Sequence, residues 1–314
     1  MRSARGTRAG WTAALAGLAT LVVLAGCAPG TPKGVDGDLT DDWQAMPAAA
    51  VPVPVSGSCY SAQYTQTWTG DFAATVVSCT APHWTETVYV GTFGGDVASR
   101  SVPPLSGSSD LATAFTTCST KAKDFLGGEW QMAYEWLGLT LPDNAAWKGG
   151  ARWYRCELTQ VGKDENEEDV RSSASAKGGL TGSKPLARTC ELVQDDGTSI
   201  TSTQGVECSQ PHNAELAGLY TLTGSATYPG DSKVDSQAST ACGRIMASYL
   251  GLSSTRSSYF GWYWHRVTED EWNLGIRTNR CYVLGFASNG KAGNVRFTGS
   301  VKGLGNKKPA GWHT

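Results

Sequence analysis

Two histidines, each followed three positions later by a glutamate, carry the clearest chemical potential in the chain. His83 and Glu86 lie in Cys79-Thr80-Ala81-Pro82-His83-Trp84-Thr85-Glu86. His212 and Glu215 lie in Cys208-Ser209-Gln210-Pro211-His212-Asn213-Ala214-Glu215. An imidazole next to a carboxylate suits proton transfer or ligand binding. A metal centre takes three or four protein ligands, so one His and one Glu per stretch are too few, and neither a metal nor a cofactor is expected. Nearby cysteines could complete a set only as free thiols. The structural alternative is that each histidine hydrogen-bonds a turn shaped by Pro82 or Pro211. Arg152 and Arg277, each five residues after a tryptophan (Trp147, Trp272), form a second duplicated set. They fit either a structural cation–π stack or a grip on a carboxylate. His83, Glu86, Arg152, His212, Glu215 and Arg277 are therefore the binding candidates.

These pairs are landmarks of an internal duplication. Eight cysteines fall at 59, 79, 118, 156 and then 190, 208, 242, 281, with gaps of 20, 39, 38 and 18, 34, 39. Trp147-x-x-Gly150-x-Arg152-x-x-x-Cys156 recurs without a gap as Trp272-x-x-Gly275-x-Arg277-x-x-x-Cys281. Val170-Arg171 recurs as Val295-Arg296, and Lys177-Gly178 as Lys302-Gly303, all at an offset of 125. Copies of this length are domains in their own right, not solenoid units. The boundaries read as 58–187 for the first copy and 188–314 for the second, with Lys163 to Asp169 as an exposed acidic loop.

The N-terminus reads as a targeting segment. Arg2, Arg5 and Arg8 precede an uncharged run from Trp11 to Ala25 that is too short for a confident membrane span and fits a signal peptide over residues 1–26. Leu24-Ala25-Gly26-Cys27 resembles the lipobox of bacterial lipoproteins, which implies lipid on the Cys27 sulfur and cleavage just before it. Residues 27–57, rich in Pro, Gly, Ala and Val, read as a tether. Removing residues 1–26 takes away three arginines and no acid, leaving 23 basic against 28 acidic side chains, a net charge of −5. Such a chain is a poor candidate for nucleic-acid binding. Eight remaining cysteines in an exported chain argue for disulfides.

Within each copy, β-prone runs around Thr69-Gly70-Asp71 and around Asp195-Asp196-Gly197 predict a hairpin that brings the first two cysteines together. Glu86 to Phe93 and Glu215 to Leu222 continue as strands. Leu111, Ala114, Phe115, Cys118, Ala122, Phe125 and Leu126 recur at helical spacing between a cap at Ser109 or Asp110 and a stop at Gly127. Val234 to Leu250, before Gly251, repeats the pattern. The third cysteine sits on the buried face of a helix and the fourth in a β-like run. Four cysteines allow three connectivities, and the hairpin and helix-to-sheet geometry favour first-to-second and third-to-fourth. The expected fold is α+β: two tandem small domains, each an antiparallel sheet with one packed helix, stapled by disulfides.

No Gly-x-Ser-x-Gly stretch occurs, and the cysteines are committed by symmetry. A two-carboxylate site would have to span the domain interface, since only Glu86 and Glu215 recur. The Cys-x-x-Pro-His-x-x-Glu run, the four-cysteine frame and the Trp-x-x-Gly-x-Arg-x-x-x-Cys close together resemble the septum formation domain family of actinobacterial envelope proteins, over about residues 57–303. The resemblance implies an extracytoplasmic, membrane-associated protein linked to division, and it transfers no catalytic residues. The expectation is a lipid-anchored, non-enzymatic binding or scaffolding module on the outer face of the cell membrane, with an envelope protein or glycan as partner. A hydrolase with a His/Glu site between the copies and a purely structural envelope component are the alternatives.

Overall fold

In each half of the chain one long helix lies on one face of an antiparallel sheet and is stapled to it through sulfur. The computed structural model describes residues 52–68, 75–196, 199–224, 227–287 and 295–314. Cys27, the signal segment and most of the tether lie outside the described residues. So do Thr69-Gly70-Asp71, the start of the run that follows it, and Gly197 of the matching turn.

The first half contains β1 (Cys59–Tyr60), β2 (Thr67–Trp68), β3 (Val76–Val77), β4 (Thr85–Thr92), α1 (Gly95–Ala98), α2 (Ser109–Leu126), β5 (Glu135–Pro142), α3 (Asn144–Lys148) and β6 (Trp153–Gln160). The second contains β7 (Cys190–Asp195), β8 (Ile200–Val206), β9 (Ala214–Thr221), α4 (Asp231–Leu250), β10 (Phe260–His265), α5 (Glu269–Leu274) and β11 (Thr278–Gly285). The first sheet runs β2-β5-β6-β4-β1-β3 and the second β10-β11-β9-β7-β8. Apart from β2, which pairs parallel to β5, the pairings are antiparallel and the two strand orders match position for position. The duplication read in the cysteines is thus a duplication of topology.

Helix α2 starts one residue earlier than its sequence suggests. The Ser108 hydroxyl accepts a hydrogen bond from the Leu111 N–H at 3.3 Å, so Ser108 is the cap. Gly127 (φ 79°) and Gly251 (φ 76°) end α2 and α4 in the left-handed region, which glycine enters without the penalty of a Cβ. Leu111, Ala114, Phe115, Cys118, Ala122 and Leu126 form the buried stripe of α2. It packs on Leu137, Leu139 and Leu158 of the first sheet, and also on Val267, Trp272 and Ile276 of the second half, so the two sheet domains share one apolar core. No helix among the described residues is long and apolar enough to cross a membrane.

The disulfides are Cys59–Cys79 and Cys190–Cys208, each closing a hairpin, and Cys118–Cys156 and Cys242–Cys281, which join the long helices to β6 and β11. Of the three connectivities open to each copy, this is first-to-second and third-to-fourth. The Cys118–Cys156 bridge closes a loop of 38 residues. The chain-entropy relation makes such a cross-link worth about 4 kcal/mol. Replacing both cysteines by alanine should lower the unfolding free energy by about that amount in a urea titration, with far-ultraviolet dichroism preserved. An unchanged midpoint would show that the bridge does not constrain the unfolded chain.

Candidate functional site

The duplicated histidines and glutamates are fastened inward. His83 and His212 are buried, and each pairs by backbone with the segment that closes its own repeat, His83 with Ser172 and His212 with Phe297. Their Nδ1 atoms donate to the carbonyls of Ala81 and Gln210, both at 2.8 Å, so each ring locks the turn made by Pro82 or Pro211. The His212 ring also meets Phe297 edge-on at 4.6 Å, and its Nε2 lies 3.4 Å from Glu215 Oε1.

Three residues on, the buried glutamates do the same work in both copies. Glu86 accepts from the Ser175 hydroxyl (2.6 Å) and the Ala176 N–H (2.8 Å). Glu215 accepts from the Ser300 hydroxyl (2.8 Å) and the Val301 N–H (2.7 Å), and from the Tyr249 hydroxyl (2.8 Å). A carboxylate so supplied with donors is stable when buried, and its lone pairs are occupied. Glu215 does border a cavity of about 410 Å³ shared by the two halves, but its oxygens are already engaged there.

Arg152 and Arg277 are also structural. Each donates Nη1 to the carbonyl of its tryptophan, at 2.6 Å in both copies, and stacks over that indole at 4.3 and 3.8 Å. Among the described residues, two groups could hold a metal by geometry, Cys59 with Cys79 and Glu86, and Cys190 with His212 and Glu215. Their sulfurs are in disulfides and their carboxylates are engaged as above, so the donor sets do not fit a metal in the oxidised protein.

The family model for septum formation matches residues 56–281, which spans both sheets and all eight described cysteines. The chain belongs to the septum formation family. No curated protein and no solved structure matches it.

The open chemistry of this septum formation protein lies on the sheet face turned away from α4, where the two halves meet. The loop of Lys163 to Asp169 is not simply an exposed acidic turn. Lys163 accepts the Gly205 N–H through its carbonyl (2.6 Å), Asp164 bridges to Gln204, and Glu167 turns inward. Glu167 Oε1 accepts from Arg188 Nη1 and from Arg280 Nη2, both at 2.7 Å. Its backbone is left-handed (φ 46°), a conformation that costs free energy for a residue with a side chain. Beneath it, Tyr263 stacks on Tyr282 with centroids 4.6 Å apart, and its hydroxyl donates to Glu191. Burial, then the Glu191 carboxylate, pushes both phenols far above their ordinary range. His265 closes the row. Burial and the Arg280 and Arg188 guanidiniums hold its imidazole well below its usual value, so it is neutral at pH 7. Burial works against the Arg280 charge, but Tyr282, Glu167, Glu191 and Glu271 outweigh it and raise its pKa.

None of these residues stood out as a motif, although the repeat contained a signal. The residue before the fourth cysteine is Arg in both copies, Arg155 and Arg280. The residues after the first and fourth cysteines exchange identity: Tyr60 and Glu157 in one copy, Glu191 and Tyr282 in the other. In the first copy this set is sealed. Arg155 pairs with Glu157 at 3.0 Å and stacks over Tyr60 at 4.6 Å, all fully buried. In the second copy Arg280 of the set lines a cleft of about 470 Å³ between the halves, and Glu191 and Tyr282 stay buried.

Two measurements test this account. Replacing Glu167 leaves Arg188 and Arg280 without their shared partner. Glu167→Ala should destabilise by about 3 kcal/mol. Glu167→Gly should lose about 1 kcal/mol less, because glycine accepts the left-handed backbone. Equal losses would show that the backbone carries no strain. Glu135, on the helix face of β5, is held up to about 8 by burial and by the nearby Glu86. Its neutral form is the one the fold favours. Its contribution is therefore complete below the ordinary value of 4.5 and is lost as pH rises through about 8. Glu135→Gln should leave stability unchanged at pH 4 and raise it at pH 9 by on the order of 3 kcal/mol in urea titrations.

Proposed function

We propose that this septum formation protein is a lipid-anchored, extracytoplasmic module that binds another envelope component without transforming it. The family supports a role in septum formation. The anchor rests on the Arg2/Arg5/Arg8 segment, the apolar run and Leu24-Ala25-Gly26-Cys27. Export accords with the four disulfides.

The observation that carries the binding reading is the contrast between the duplicated polar residues and the cleft. His83, Glu86, Arg152, His212, Glu215 and Arg277 all have their polar groups directed to backbone or side chains of the same chain. The cleft instead gathers aromatic and charged side chains from both halves around open space, the composition of a recognition site. Photo-crosslinking from Trp136 or Glu165 in intact membranes should capture a defined envelope component. Cys27→Ala should move the protein out of the membrane fraction. Peptidoglycan or peptide hydrolysis by the wild type, abolished by His212→Ala in a variant that still folds, would overturn the non-catalytic reading.

A further inference from the structure

The charges that line the inter-half cleft are unequally committed. Glu167 is shared by Arg188 and Arg280. Arg266 is taken by Asp231 (3.0 Å) and Asp235 (2.5 Å), which lie outside the cleft lining. Glu271 accepts the Thr268 N–H and hydroxyl as the capping box of α5. That leaves two carboxylates. Neither Asp169 nor Glu165 has an ion pair or a side-chain hydrogen bond among the described residues.

Asp169 is the more telling of the two. It is half-buried, in the segment that returns to pair by backbone with Val161. Burial pushes its carboxyl above the ordinary range, and no guanidinium or ammonium counters that. A partly desolvated carboxylate without a counter-charge is unfavourable in the free protein and becomes favourable when a cation arrives. The cleft that holds it also presents the half-buried rings of Tyr64 and Trp136. Aromatic faces attract cations through the ring quadrupole. His265 is neutral and does not repel one.

We propose that the cleft between the two halves binds a primary ammonium group, with Asp169 as its counter-ion, Glu165 at the rim, and Tyr64 and Trp136 as its aromatic walls. This deepens the binding reading and rests on it, since it names the ligand chemistry of the same site. A lysine side chain of a partner polypeptide and the amine of a deacetylated amino sugar share that chemistry.

The test uses the full-length chain in detergent at low ionic strength, with isotope-detected titrations of the Trp136 indole N–H. The probes are Nα-acetyl-lysine methylamide and a glucosamine trimer, each against its N-acetylated counterpart, which keeps shape and loses charge. At least one ammonium probe should shift Trp136 saturably, and its acetylated form should bind at least about tenfold more weakly. Asp169→Asn should weaken binding by about tenfold with thermal stability unchanged or raised, because no native partner is lost. If that variant does not fold, the acetylation contrast on the wild type decides alone. The lysine and glucosamine arms tell the two sources apart. Equal binding of charged and acetylated probes, a folded Asp169→Asn that binds as the wild type does, or no binding by either amine would overturn the proposal. Capture of an envelope component at Trp136 alongside failure of both amines would remove the ligand class and leave the binding reading standing.

Discussion

A buried carboxylate that must find donors organises each half of this protein. Glu86 and Glu215 project from β4 and β9 into the space between sheet and helix, where an ionised group is costly without hydrogen bonds. The donors come from the closing segment, Ser175 and Ala176 in one copy and Ser300 and Val301 in the other. Once the segment is clamped, the Lys-Gly pair two residues further on is fixed at the end of the long helix. Gly178 N–H reaches Phe125 O and Leu180 N–H reaches Leu126 O, while Gly303 N–H reaches Tyr249 O and Gly305 N–H reaches Leu250 O. These bonds satisfy carbonyls that a helix C-terminus leaves bare, and Gly178 (φ 71°) and Gly303 (φ 72°) supply the turn they need. Strand, closing segment and helix end are held by one chain of hydrogen bonds that starts at the motif glutamate.

The two copies differ on the other face. In the first, Gly138 on β5 leaves room for the Tyr64 ring, and a Cβ there would collide with it. The Tyr64 hydroxyl both donates to the Leu139 carbonyl and accepts its N–H, at 3.1 Å each. The segment before β2 therefore seals the face over Arg155 and Glu157. In the second copy the position matching Gly138 is Tyr263, whose ring fills that space itself, stacked on Tyr282. Glu167 of the Lys163 to Asp169 loop then covers Arg280. At the seam, Gly205 is required for a different reason: a Cβ there would strike the Tyr134 hydroxyl, so the first half could not approach.

Much of this was legible in the sequence because duplication turns one observation into two. Helix placement and cysteine pairing both follow from a frame that repeats with small drifts in register. The Lys-Gly echo was visible as a pattern, but its cause depends on φ and on which carbonyls lack partners, which spacing does not encode. The candidate site was hidden for the opposite reason. Apart from Arg280, which matches Arg155, its residues do not repeat: Glu167 has no counterpart, and Tyr60 with Glu157 trade places with Glu191 and Tyr282. A search for duplicated polar residues selects those that fold each copy and passes over those that distinguish them. Composition likewise marked Lys163 to Asp169 as acidic without showing that Glu167 turns inward to two arginines on the neighbouring half.

That asymmetry bears on why the repeat occurs here as a tandem. A face sealed by its own segment, as in the first copy, presents no cleft over its arginine. A face left unsealed, as in the second, exposes a buried-type cluster of Arg280, Glu191 and Tyr282 to water unless something covers it. The first copy covers it incompletely: Glu167 neutralises the arginine, and the rest of its loop stands off, which leaves about 470 Å³ between the halves. The cleft is therefore a property of the pair, absent from either unit alone, and its walls come from residues on which the copies have diverged. Selection on folding would act on the duplicated glutamates in both copies alike. Selection on recognition would act on one seam, which explains how two units of the same topology give a single candidate site.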